Sequence, residues 1–345
     1  MKNSAPAKTR PDRATVFLGS SLAIAGILVL YLAVFHRNGH AEPDQLAQQT
    51  RISPQNYFDG QQAHRYLEQL CALGSRTSGT DGMARQQQLL TDHFTKLGAT
   101  VSRQSFQVRH PEQGTPVELA NLIVEWHPER TTRILLCAHY DTRPYPDRDA
   151  RRPRGLFVGA NDGASGVAVL MELGQHMARL DGPIGVDFVL FDGEELVYDD
   201  QRDSQYYFLG STHFATVYAR TPPPIRYVCG VLLDMVGDAR LELYKEKNSL
   251  HHARDVVNEV WSTARRLGVS EFIDRPRHEI RDDHLPLNEI ARIPTCDIID
   301  FDYPRPLRLS YWHTEADRPD KCSPASLAKV GWVISEWLKS RQTAN

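Results

Sequence analysis

The chain has 345 residues, of which 41% are hydrophobic and 24% charged, a balance typical of a globular protein rather than a disordered or fibrous one. Residues 1–40 hold five of the 40 basic and one of the 43 acidic side chains, so the remainder carries 35 basic against 42 acidic side chains. A formal charge of −7 makes nucleic acid a poor candidate partner, and we expect none.

The first predicted element is a transmembrane helix over residues 14–35, which contain no charged side chain. A helix of this length can cross a hydrocarbon core of about 30 Å. Four basic side chains precede it and only Arg37 follows closely, so the remaining chain is predicted to lie outside the cytoplasm, in a periplasm or the extracellular space. The alternative is a signal peptide cleaved near residues 39–41. We favour an uncleaved anchor because the apolar run exceeds the usual signal core of about 7–15 residues.

Residues 1–13 are therefore interpreted as a cytoplasmic basic tail, and the polar residues 36–56 as a stalk. Residues 57–345 are predicted to form one globular domain. Spacing near 3.6 residues indicates helices there, and short apolar runs such as residues 134–138 indicate strands buried on both faces.

The predicted helices and strands alternate along this domain. In chain order they are helices over 58–73 and 82–97, strands over 100–108, 118–126 and 133–139, a helix over 164–180, a strand over 186–191, a helix over 209–218, a strand over 227–233, a helix over 250–267, a strand over 295–301 and a helix over 324–339. Because strand–helix–strand units form parallel sheets, we predict an α/β fold: a three-layer α/β/α sandwich with a mixed, largely parallel central sheet.

Five scattered cysteines without a C-x-x-C pair do not make a disulfide framework. Cys137, Cys229 and Cys296 lie in apolar runs and are interpreted as core residues. An external location would permit a disulfide involving Cys71 or Cys322.

Arginines are concentrated in the loop 142–155, at Arg148, Arg151, Arg152 and Arg154. They are interpreted as a solvated surface run, and attraction of acidic substrates is the alternative.

Imidazoles and carboxylates occur where the predicted strands end. In open α/β sheets, ligands bind beyond the carboxyl ends of the strands, so these groups are expected to converge in one crevice. They are His139, Asp141, Glu194, Glu195 and Asp234, joined by Asp162 before a helix and His313 before the last helix.

Two imidazoles and several carboxylates, without paired thiolates, suit zinc bound by nitrogen and oxygen with one position left open for chemistry. Adjacent Glu194 and Glu195 can divide the work, one as a metal ligand and the other as a proton carrier. Asp141 shares a face with His139 and can orient its ring. The alternatives are that Asp162 only caps a helix and Asp234 only closes a turn.

These motifs resemble those of the zinc-dependent aminopeptidases of metallopeptidase family twenty-eight and, more narrowly, of the animal-type glutaminyl-peptide cyclotransferases. The resemblance covers residues 58–340 and leaves out the anchor. It rests on HYD (139–141), GANDGASG (159–166), FDGEE (191–195), LGS (209–211), LLDMVGD (232–238), RDDHLPL (281–287) and WHT (312–314).

The cyclotransferase resemblance implies one Zn²⁺ held by Asp162, Glu195 and His313, with Glu194 as general acid/base. It further implies a carboxylate network completed by Asp234 and Asp282, and a pocket wall formed by Trp312. The implied reaction converts the N-terminal glutamine of a peptide or protein to pyroglutamate, with release of ammonia.

The aminopeptidase resemblance implies a second zinc ion bound by His139 and Asp234, with Asp162 bridging both ions and Glu194 activating a water. Residues 164–166 read like the peptidase version. Two further departures from the cyclotransferases are the lack of a tryptophan in 196–200 and a longer, more basic segment at 302–308.

Trp312 could instead be a packing residue, and Asp282 could lie in a solvated turn. The prediction is a membrane-anchored zinc enzyme that acts on peptide N-termini, with cyclisation favoured over aminopeptidase hydrolysis. A binding ectodomain that has lost its chemistry is the third alternative.

Overall fold

The computed structural model describes residues 58–301 and 310–343. The helices are α1 (Gly60–Cys71), α2 (Asp81–Lys96), α3 (Ala164–Met177), α4 (Leu209–Arg220), α5 (Lys247–His252), α6 (Arg254–Leu267), α7 (His284–Glu289) and α8 (Pro324–Thr343). The strands are β1 (Thr100–Arg109), β2 (Pro116–Trp126), β3 (Thr132–His139), β4 (Gly185–Phe191), β5 (Arg226–Asp234), β6 (Leu243–Glu246), β7 (Phe272–Arg277) and β8 (Thr295–Ile299).

The central sheet has the strand order β1-β2-β4-β3-β5-β8. The pairs β1–β2 and β2–β4 are antiparallel, whereas β4–β3, β3–β5 and β5–β8 are parallel. Every residue of β4 is buried, as expected for a strand covered on both faces. The predicted mixed, mostly parallel sheet is confirmed, and its four parallel strands direct their carboxyl ends to one edge.

Helices cover both faces of this sheet. Ile134 and Leu136 of β3 belong to the larger apolar core, which includes residues of α1, α2, α3, α6 and α8. The intervening Leu135 and Cys137 belong to a smaller core, which includes Phe214 of α4 and Leu287 of α7. The alternation of side chains along a strand thus divides one apolar run between two layers of helices.

The predicted helix over 250–267 is two helices that meet at Ala253, where φ is −137°. The first begins earlier than expected because the Glu246 carboxylate accepts the backbone N–H groups of Asn248 and Ser249 as an N-cap. The sequence patterns did not predict the parallel pair β6–β7 or the short helix α7. These elements have four to six residues, too few for a periodic pattern.

The predicted basic tail, transmembrane helix and stalk, like the segment 302–308, lie outside the described residues. Among residues 58–301 and 310–343, no helix is long and apolar enough to cross a membrane. All five cysteines are buried with free thiols, so the disulfide considered for Cys71 or Cys322 is not formed.

Candidate active site

The loops at the carboxyl edge of the sheet bring the predicted ligands together. His139 ends β3 and Asp234 ends β5, while Glu194 and Glu195 follow β4. Gly163, with φ of +91°, turns the chain into α3, and a Cβ there would lie 2.5 Å from the Asp141 carbonyl oxygen. Only glycine fits this close approach, which places the preceding aspartate at the strand ends.

Asp162, Glu195 and His313 form the first group of candidate metal ligands. His313 Nε2 lies 3.3 Å from Asp162 Oδ2 and 3.3 Å from Glu195 Oε2. All three side chains are buried. The residues that the sequence predicted as zinc ligands therefore converge on one point, although their role as ligands remains a prediction.

A second group shares Asp162 with the first and adds His139 and Asp234. His139 Nε2 lies 3.2 Å from Asp162 Oδ1 and 3.2 Å from Asp234 Oδ1. Because the two imidazoles approach different oxygens of Asp162, its carboxylate lies between the groups as a bridging ligand would.

These distances fit zinc. Bonds of about 2.0 Å in a tetrahedron place neighbouring donor atoms about 3.3 Å apart, close to the separations in both groups. The charges agree: burial raises the pKa of Asp162, but the imidazoles of His139 and His313 outweigh burial and hold this pKa below its usual range. Buried carboxylates that depend on positive neighbours suit a divalent cation.

Both imidazoles have a carboxylate behind them. His139 Nδ1 lies 3.5 Å from Asp141 Oδ1, and His313 Nδ1 lies 3.5 Å from Asp147 Oδ1. Such outer carboxylates fix ring orientation and increase the basicity of a ligating imidazole. The orienting role inferred for Asp141 agrees with this geometry, whereas Asp147 was missed because it lies in an irregular loop.

The paired glutamates are positioned through their backbone. Asp141 accepts the N–H of Glu194 at 3.0 Å and the N–H of Glu195 at 3.2 Å. Arg143, which the sequence did not predict as a site residue, donates its own backbone N–H to Glu195 Oε1 at 2.7 Å. Its fully buried guanidinium lies 3.6 Å from Glu195 Oε2. These contacts therefore direct the Glu195 carboxylate towards the other two residues of the first ligand group, Asp162 and His313.

Glu194 has the environment of a proton carrier. Burial raises its pKa well above the usual range; His139 lowers it, whereas the negative charges of Asp282 and Glu195 raise it. Its Oε2 lies 4.0 Å from His139 Nδ1. A carboxyl group whose pKa is raised holds a proton more tightly than an exposed one, as a group that carries a proton between reaction steps must.

The candidate ligands other than His139 border a pocket of about 270 Å³. Trp312 lines this pocket and packs edge to face on Phe301, with ring centroids 4.8 Å apart, while its role as a wall for substrate stays a prediction. Asp282 also lines the pocket but is only 4% exposed, so it does not lie in a solvated turn. Arg148 lines the pocket rim, with its guanidinium carbon 3.9 Å from the centre of the Trp312 ring.

Residues 121–338 match the family model described as Peptidase family M28. The chain belongs to peptidase family M28. Among curated relatives, the glutaminyl-peptide cyclotransferase of Bothrops jararaca is 27% identical over 265 residues, covering 64% of this chain and 64% of the relative. The chain thus spans less than two thirds of that relative's length.

Solved structures of glutaminyl cyclases and of Zn-dependent exopeptidases resemble this M28 member. The glutaminyl cyclase of Fimbriiglobus ruber is 41% identical, with a TM-score of 0.77, and the match covers 82% of this chain and 95% of the cyclase. A Zn-dependent exopeptidase from Parabacteroides distasonis is 33% identical, with a TM-score of 0.74 and coverages of 82% and 99%. The M28 chain is an enzyme of one of these types, and zinc is the metal that its relatives imply.

Proposed function

We propose that this chain is a zinc-dependent glutaminyl-peptide cyclotransferase, which converts N-terminal glutamine to pyroglutamate and releases ammonia. The observation that carries the proposal is Asp282, a buried acid that lines the pocket together with Glu194 and Asp234. Burial raises the pKa of Asp282 well above its usual range, and the charge of Asp234 raises it further. A carboxyl group in this position can exchange a proton with Asp234 or form a hydrogen bond with substrate. The 41% identity to a glutaminyl cyclase supports the same choice.

The reaction is an internal acyl transfer. As the α-amine nitrogen bonds to the side-chain amide carbon, Glu194 takes the proton that the amine loses. It returns a proton to the amide nitrogen as the carbon–nitrogen bond breaks, and this nitrogen leaves as ammonia. Asp162, Glu195 and His313 would hold the zinc ion, which when bound supplies a Lewis acid that polarises the side-chain amide carbonyl.

The apolar side of the pocket serves the same reaction. Trp312 and Phe301 form a wall on which the aliphatic part of a glutamine side chain can pack. Packing there would fold the side chain back towards its own amine and exclude water, the competing nucleophile.

Aminopeptidase hydrolysis is the second candidate. It is supported by the group of His139, Asp162 and Asp234, which shares Asp162 with the first group as a two-ion site requires. In that reaction Glu194 would take a proton from the attacking water and deliver it to the departing amine. The 33% identity to a Zn-dependent exopeptidase supports this alternative.

The deciding experiment follows two products from one preparation. Full-length protein in detergent is incubated with a glutaminyl peptide and, separately, with leucyl anilide, while ammonia and aniline release are measured. We expect ammonia release to dominate. Glu194→Gln should lower it by a factor of at least about 10² with unchanged zinc content. Glu279→Gln, at the pocket rim, is the matched control and should remain active. Aniline release that is faster than ammonia release would contradict the proposal and favour aminopeptidase hydrolysis.

We further propose that residues 14–35 anchor the enzyme in a membrane, with the catalytic domain outside the cytoplasm. The absence of charges in this segment and the basic residues before it support this topology. The protein should stay with membranes after alkaline carbonate extraction, and protease added to the outer face should digest the domain. Release by carbonate would contradict the anchor.

A further inference from the structure

A second cluster of buried candidate ligands lies beside the pocket. It consists of Asp282 before α7, His284 at the start of α7, and Asp297 in β8. One donor atom from each residue lies within 4.8 Å of the others. Asp282 is 4% exposed, and the other two side chains are fully buried.

The polar atoms of this cluster are not satisfied by one another. Within the described part of the chain, neither ring nitrogen of His284 and neither carboxyl oxygen of Asp297 makes a hydrogen bond. The same holds for Asp282 Oδ2. Buried polar groups in native proteins almost always have a partner, so this concentration of unpartnered donors and acceptors points to a ligand between them.

The distances distinguish a cation from a shared proton. His284 Nδ1 lies 3.9 Å from Asp297 Oδ2, beyond the roughly 2.7–3.2 Å of a hydrogen bond. A metal ion with bonds of about 2.0–2.2 Å joins donors up to about 4.4 Å apart. On the other side of the ring, Nε2 lies 3.5 Å from Glu246 Oε2, so a carboxylate stands behind the imidazole as in many metal sites.

We propose that Asp282, His284 and Asp297 bind a divalent transition-metal cation, at a site separate from the Asp162, Glu195 and His313 group. One imidazole and two carboxylates suit Zn²⁺ or Mn²⁺. Because Asp282 also lines the pocket, the cation would join the pocket wall to β8 and hold this acid in place. The proposal concerns metal binding and stands whichever reaction the enzyme performs.

The first test compares metal content between variants. Full-length wild type, Asp297→Asn and Asp283→Asn are each loaded with Zn²⁺ or Mn²⁺ and freed of excess metal, and ions per chain are counted by mass spectrometry. Asp283 is the matched control because it neighbours the cluster without belonging to it, and its Oδ1 accepts a hydrogen bond from the Ser211 hydroxyl at 2.5 Å. Asp297→Asn should hold about one ion fewer than wild type and the control. Equal counts in all three proteins would overturn the proposal.

A second test needs no variant, in case Asp297→Asn fails to fold. Crystals of the wild-type protein soaked in Zn²⁺ or Mn²⁺ should give an anomalous scattering peak between Asp282, His284 and Asp297. A peak at the Asp162 group alone would mean that water or protons occupy the second cluster, and the proposal would be wrong.

Discussion

Asp317 Oδ2 accepts the backbone N–H of Asp162 at 3.1 Å, directly behind the bridging candidate ligand. Its Oδ1 accepts the N–H of Asn161 at 2.8 Å, so one carboxylate fixes the whole turn before α3. Burial, with the charge of Asp162 added, raises the pKa of Asp317 to about 8. Asp317 thus acts on the site through the backbone of another residue.

Asp317→Asn should weaken zinc binding by about 10- to 100-fold, as outer positioning groups do. Asparagine keeps one acceptor oxygen but presents an NH₂ group to the second backbone N–H, so the turn must shift. Competition with a chromogenic chelator measures the affinity. Activity at saturating zinc should stay near that of wild type, and a large loss of kcat under those conditions would contradict a positioning role.

Asp234 distinguishes one active-site ion from two. If the Asp162, Glu195 and His313 group alone holds zinc, Asp234→Asn should bind as many ions per chain as wild type. It should lose ammonia release by about 10-fold or more, because the carboxylate pair with Asp282 is broken. Metal counting on matched samples checks this. Loss of one ion per chain would support the two-ion aminopeptidase instead.

Arg148 should favour substrates with an acidic residue after the N-terminal glutamine, because its guanidinium stands over Trp312 at the pocket rim. Arg148→Gln should lower kcat/KM for a Gln-Glu peptide by about 2- to 5-fold, the range of an exposed ion pair, and leave a Gln-Leu peptide unchanged. Arg151→Gln, an exposed change in the same loop, is the control. An equal loss with both peptides would assign Arg148 to packing on Trp312.

Glu172 on α3 should make stability depend on pH. Burial, with the charge of Asp59 added, raises the pKa of this carboxyl group to about 7. The folded state therefore binds its proton more tightly than the unfolded state, and the free energy of unfolding falls as pH rises from about 4.5 to about 7.

Glu172→Gln should stabilise the protein at pH 8, by about 1 kcal/mol once partial solvent screening is allowed for, and change little at pH 4.5. Urea unfolding at the two pH values measures the difference from wild type. Glu118→Gln, an exposed change on β2, should have no such effect. Equal shifts at both pH values would show that the carboxyl group does not titrate as expected.

The sequence predicted the parallel core because β3 and β4 are buried on both faces and so consist mostly of apolar residues. Strand ends then indicated where His139, Glu195 and Asp234 would meet. By contrast, β6 and α7 depend on contacts with other segments of the chain. The carboxylate of Glu246, the last residue of β6, caps α5 and also accepts the backbone N–H of Ile280. No local pattern records such contacts.

Three of the site residues that the sequence did not predict, Arg143, Asp147 and Asp317, act on another residue and do not line the pocket. Arg143 and Asp317 lie in irregular loops and work through backbone N–H groups, which every residue possesses. Asp282 was found only through the resemblance, because an acid in a polar stretch looks like a surface turn until its burial is seen.

The first ligand group takes Asp162 from the turn before α3, Glu195 from the loop after β4 and His313 from the segment ahead of α8. An ion bound there would act as a reversible cross-link between three parts of the chain that are distant in sequence. Its removal should loosen the rim of the pocket while the sheet keeps its hydrogen bonds. Chelation should therefore expose the loops around the site to proteolytic nicking well before the molecule unfolds.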